Sequence, residues 1–250
     1  MEYLNRKYYD SDKRCAMPLS AIDQANAIVL QNSKPKINEG NFREMIDGAF
    51  AENRHVEYLN EVIKKYDEYK KIFNNVFINA KDNFDSVYLF KVNFINNKPL
   101  WRKIEILGKQ TLFNLAEEII YSMKWQNDHM HGFALPKEAD RPDPLFTAST
   151  LGIFAPEWED DPHPYFKTNE IRICDIDYQK LPKLEFTFDY GDGHTFDIIF
   201  ESKRSLAKNE KQNNFPNTID SAGIPPVQYP SYEWSFAQGG LFQKNLLVIK

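Results

Sequence analysis

Between Val87 and Leu107 apolar and polar residues alternate, and Asn96-Asn97-Lys98-Pro99 interrupts them at the middle. Two period-2 runs around a turn leave little choice but an antiparallel hairpin, Val87–Ile95 with Leu100–Leu107. The same arrangement recurs later. Leu184–Tyr190 and Thr195–Ser202 flank Gly191-Asp192-Gly193, whose glycines permit a tight reversal. Between the hairpins, Thr111 stands where an N-cap belongs. It precedes a helix that turns Leu112, Leu115, Ile119, Ile120 and Met123 to one side. His129–Leu135 is expected to be a third strand. Hairpin, helix, strand and hairpin in that order give an α+β domain with a mixed or antiparallel sheet and one packed helix, arranged in a β-grasp-like manner.

The chain up to about Ala80 follows a different period. Val56, Leu59, Ile63, Tyr66, Phe73 and Phe77 recur at three- and four-residue spacing, which predicts a helix over Val56–Phe77 with one apolar stripe. Shorter helices are expected over Leu19–Gln31 and Asn41–Ala51, punctuated by Pro35 and Gly40. The predicted organisation is a helical N-terminal segment, residues 1–82, followed by the α+β domain, residues 83–250. Pro136–Pro164 is rich in Pro, Asp and Glu and reads as an excursion with little regular structure. The proline-rich stretch beginning at Pro216 must run extended or in turns, and the terminal Leu-Leu-Val-Ile-Lys reads as an edge strand.

Composition narrows the function classes. With 31 basic against 36 acidic side chains the net charge is −5, which disfavours a general binder of phosphate backbones. Cys15 and Cys174 belong to no CxxC pair, so a cysteine zinc site and a disulfide framework are not expected. The polar start carries no apolar signal core, and no apolar run approaches the length that crosses a bilayer, so the expected address is the cytoplasm, with no membrane partner. Phosphate loop, dinucleotide loop, HExxH and GxSxG patterns are all absent.

Four patterns stand in order: Pro99-Leu100-Trp101-Arg102-Lys103-Ile104, then Thr111-Leu112-Phe113-Asn114-Leu115, then Trp125 with Asp128-His129-Met130-His131-Gly132-Phe133, and Phe188-Asp189-Tyr190-Gly191-Asp192-Gly193. Together they resemble the ORF-3-like family, named after the third open reading frame of a root-inducing plasmid. Gly223, Pro225-Pro226 and Tyr229-Pro230 resemble its proline-rich C-terminal piece, so the resemblance spans about Tyr88 to Glu233. It implies a protein of plasmids, transposons or chromosomes. Some members carry the label of transposon resolvase, for which this chain offers no serine nucleophile beside an arginine cluster. Where members often have Trp and His after the Gly-Asp turn, this chain has His194 and Phe196.

The chemistry-bearing candidates are few. His129 and His131 stand two apart on the expected strand, a spacing that suits two imidazoles on one metal, with Asp189, Asp192 or His194 completing the set. Asp189 and Asp192 flank the turn, where aspartates also bond backbone amides. Arg102 is placed to clamp an anion or to pair with an acidic turn residue such as Asp192. Trp101 and Trp125 are candidates for stacking a ligand, with core packing as the alternative. The reading that follows is a non-catalytic binding module of a mobile-element protein, with protein or nucleic acid as partner and no cofactor. Its alternatives are a metal-dependent hydrolase or nuclease using His129, His131 and Asp192 with a divalent metal, and a small-ligand sensor built on Arg102 and the tryptophans.

Overall fold

A computed structural model of the chain describes residues 42–96, 99–135, 152–154, 165–229, 233–237 and 240–244, together with Pro35 and Ile37. The helix expected over Leu19–Gln31, the terminal Leu-Leu-Val-Ile-Lys and Cys15 lie outside these residues. Two N-terminal helices come first, α1 (Phe42–Ala51) and α2 (Val56–Val76). The apolar stripe of α2 serves two clusters. Val62 and Tyr66 pack with Phe42 and Ile46 of α1, whereas Phe73, Val76 and the following Phe77 enter the main core. One helix therefore ties the N-terminal pair to the sheet, and isolated pairing of Phe77 with Ile176 fixes its end.

The sheet begins with the expected hairpin, β1 (Ser86–Phe94) and β2 (Trp101–Leu107), paired from Val87↔Leu107 to Asn93↔Trp101. The remaining strands are β3 (His131–Ala134), β4 (Gly152–Phe154), β5 (Tyr165–Lys167), β6 (Lys183–Phe188), β7 (His194–Ser205) and β8 (Asn217–Ala222). They join in the order β5-β4-β3-β6-β7-β1-β2-β8, antiparallel throughout except for the parallel pair β4 and β5. A separate hairpin, β9 (Glu233–Ala237) with β10 (Gly240–Lys244), follows. The fold is thus α+β, with a helical N-terminal part and a sheet carrying a helix.

That helix is α3 (Leu112–Ser122), and its start is explained by the residues predicted for it. The Thr111 hydroxyl accepts from the Asn114 amide at 3.3 Å, while Asn114 Oδ1 accepts from the Thr111 amide at 3.0 Å. This reciprocal capping satisfies two donors that the first turn leaves open. Leu112, Leu115, Ile119 and Ile120 then pack on Phe90, Val92, Ile104, Ile106, Phe186, Phe196 and Ile198 from one face of the sheet. The opposite face is charged, with Lys103–Glu201 at 2.9 Å and Lys183–Asp197 at 2.7 Å. A sheet covered mainly on one side accounts for the alternation in β1 and β2, and at their Val87–Leu107 end Phe215 covers the opposite face as well.

The structure departs from the expectation in three places. β3 is shorter than expected and starts at His131, leaving His129 in the preceding loop. The proline- and acid-rich excursion contains a strand, β4, which extends the sheet beyond β3. β8 pairs with β2 and is the last strand on that side of the sheet among the described residues.

Candidate functional site

The β6–β7 turn, the loop before β3 and the segment after β8 carry most of the candidate residues. Asp189 occupies a left-handed conformation, φ 54°, which Asp tolerates, and Gly193 follows at φ 66°. Asp189 Oδ1 accepts from the amides of Gly191 at 3.0 Å and Asp192 at 3.2 Å, so one carboxylate oxygen performs the expected turn role. The other, Oδ2, lies 3.5 Å from His129 Nε2. Asp128 Oδ1 lies 4.0 Å from the same nitrogen.

His194 opens β7, and its ring packs on Trp125 with centroids 4.3 Å apart and planes at 32°. Its Nε2 is enclosed and has no hydrogen-bond partner among the described residues. Burial lowers the His194 pKa, the carboxylates of Asp192 and Asp189 oppose that shift, and His129 adds to it. The imidazole therefore favours its neutral, metal-competent form. Donor atoms of Asp189, Asp192 and His194 lie within 4.8 Å of one another, the single such group of three among the described residues.

His131 does not join them. It is buried at 2% exposure between Phe113 and Phe186, at ring separations of 5.7 and 5.9 Å, with Thr168 Oγ1 3.4 Å from Nε2. The paired histidines of the sequence reading are thus one enclosed and one half-exposed residue in different surroundings. Trp125 is likewise wedged into the core among Phe94, Phe188 and Phe196. Trp101 sits on the charged sheet face, half-buried, with Lys91 Nζ 5.4 Å from its ring centroid.

Arg102 is buried on the core side of β2, and the carbonyls it binds take the place of the expected acidic partner. Its Nε donates to Ser122 O at 3.2 Å, and Nη1 donates to Trp101 O at 2.7 Å and Ala222 O at 3.0 Å. The guanidinium joins the C-terminal end of α3 to β8, where a cation also complements the helix dipole. It borders a cavity of about 460 Å³ shared with Tyr121, Lys124, Thr218, Ser221 and Ile224. A neighbouring cavity of about 450 Å³ lies between Lys124, Trp125, Gln126 and residues 224–229.

The segment after β8 is pinned by contacts that no sequence pattern announces. Trp125 Nε1 donates to Pro226 O at 2.9 Å. The Gln126 amide donates to Gln228 Oε1 at 2.6 Å, and Gln228 Nε2 returns bonds to Gln126 O at 2.9 Å and Asp128 Oδ1 at 3.0 Å. The Tyr229 hydroxyl donates to Asp128 Oδ2. The nearby motif Asp128-His129 is visible in the sequence, but partners about a hundred residues away are not.

Comparison with known proteins adds one family. The family model for plasmid pRiA4b ORF-3-like proteins matches residues 86–229, more than half the chain. A solved protein of unknown function from Methanosarcina mazei Go1 is similar at 20% identity over 59% of this chain and 75% of that one, with a TM-score of 0.47. No curated protein matches. From β1 through the pinned segment after β8, the chain belongs to the plasmid pRiA4b ORF-3-like family.

Proposed function

We propose that this protein is a non-catalytic recognition module of a plasmid- or transposon-associated process, acting in the cytoplasm on an extended peptide of a partner protein. The observation that carries this reading is the margin formed by β8 and the segment after it. β8 is the terminal strand of the sheet among the described residues, so one side of its backbone is open to an added strand. Along this margin Ile219, Ile224, Val227 and Tyr229 are exposed, Ile224 at 87% and Val227 at 73%. Apolar side chains held in water on a clamped backbone cost little further ordering when a partner covers them. Two adjoining cavities beside Ile224 and Pro225 offer receptacles for partner side chains. A net charge of −5 weighs against a nucleic-acid partner.

A random peptide display library panned against the full chain tests the proposal. Selected peptides are expected to lose at least tenfold in affinity for an Ile224→Glu/Val227→Glu variant, since burying two charges is costly. Equal binding to that variant refutes the margin, and sustained catalytic turnover by the pure protein refutes the non-catalytic reading. No helix among the described residues is long and apolar enough to cross a membrane.

The hydrolase alternative retains one specific support, the grouping of Asp189, Asp192 and His194. That grouping is independent of the β8 margin.

A further inference from the structure

We propose that Asp189, Asp192 and His194 form a binding site for one divalent transition-metal ion of the zinc class, built on the β6–β7 hairpin turn. Their donor atoms already lie within 4.8 Å of one another. An ion bound at about 2.1 Å to each would bring tetrahedral donors to about 3.4 Å apart, so closure requires shifts on the order of 1 Å. Asp192, exposed at the turn, is the ligand free to make that shift.

The other two ligands are held in advance. Asp189 is 6% exposed, and its Oδ1 is fixed by the Gly191 and Asp192 amides. The His194 ring is fixed against Trp125, with its Nε2 enclosed and without a partner among the described residues. An unsatisfied buried nitrogen is costly, and a metal ion beside the imidazole would remove that cost if Nε2 is the ligating atom. Two carboxylates with a neutral imidazole balance a divalent charge. The nitrogen donor favours zinc or cobalt over calcium, magnesium and manganese, which suit oxygen donors.

His129, 3.5 Å from Asp189 Oδ2, lies outside the three-donor set and orients the carboxylate, with Asp128 Oδ1 4.0 Å from the same His129 nitrogen. Three protein donors leave coordination positions for water or a substrate group. The site therefore lacks His131, the residue the sequence spacing had placed in it.

The test titrates chelator-treated, untagged full-length protein with Zn²⁺ by calorimetry and with Co²⁺ by visible absorption. One ion per chain is expected, with tetrahedral-type cobalt bands. Asp192→Asn lies on an exposed turn and keeps the fold, and it should weaken binding at least tenfold. His194→Gln should abolish the cobalt bands, and His131→Phe should leave them unchanged. The proposal fails if the wild type shows no saturable binding below about 1 mM. It fails equally if Asp192→Asn and His194→Gln bind as the wild type does, because the metal would then sit elsewhere. Peptide binding at the β8 margin is read separately, so either proposal can fail alone.

Discussion

Acidification should reveal how deeply His131 is committed to the core. Its imidazole is enclosed by Phe113, Phe186 and Thr168, and burial depresses its pKa from the ordinary 6.5 to about 3. The folded-state value is lowered, so the sign follows directly. Above about pH 6.5 the ring is neutral both folded and unfolded, and its full contribution is present. As pH falls from 6.5 toward 3, the unfolded chain takes up a proton that the folded chain refuses. Stability is then lost at about 1.4 kcal/mol per pH unit, so roughly 3 kcal/mol has gone by about pH 4.5. The assay is urea unfolding of the wild type and of His131→Phe between about pH 7.5 and about pH 4.5. Carboxylates such as Asp175 and Glu170, whose pKa values burial raises, contribute to both proteins and cancel in the difference. The wild type should lose about 3 kcal/mol relative to the variant across this range. A difference that stays flat refutes the reasoning. So does a His131 ring-proton resonance in the wild type that titrates near 6.5, a readout that does not require the variant to fold.

Arg102→Met should lower stability by about 3 kcal/mol, because three main-chain carbonyls around α3 and β8 lose their charged donor. An unchanged urea midpoint would show those bonds to be inconsequential. Gly223→Ala should cost about 3 kcal/mol, since the glycine lies at φ 78° and an added Cβ would stand 2.8 Å from Leu100 Cα. Thermal unfolding measures it, and a neutral result would mean the turn after β8 relaxes freely. Thr111→Ala should cost about 1 kcal/mol through loss of the α3 cap, and a Thr111→Ser control should recover most of it.

What could be read from the sequence was whatever repeats at short range. The hairpins declare themselves because β1 and β2 bury one face along most of their length, so Phe90, Val92, Ile104 and Ile106 alternate with less buried neighbours, while at the Val87–Leu107 end the opposite face is closed by Phe215. The cap of α3 is equally local, lying within three residues of Thr111. β8 escaped because an edge strand of sequence Asn-Thr-Ile-Asp-Ser-Ala is largely exposed along its length and carries no alternation to detect. β4 and β5 escaped because three-residue strands are too short to show a period.

The site was divided along the same line. The turn Asp189-Tyr190-Gly191-Asp192-Gly193-His194 is contiguous, so its donors were recognisable as neighbours before any fold was known. The mistaken element was the pair His129 and His131, because residue spacing specifies a common face only while the strand lasts. Here β3 begins at His131, where the ladder to Phe188 begins, and His129 is drawn instead toward Asp189. A two-residue error in a strand boundary thus put both histidines on one strand face, whereas only His131 lies on the strand, enclosed in the core. The long-range contacts explain why the boundary falls there: the Asp189 amide donates to Met130 O at 3.0 Å, and Gln228 and Tyr229 hold Asp128 from the other end of the chain. Strand length at this point is set by tertiary hydrogen bonds rather than by local propensity, and the position of the candidate site is set with it.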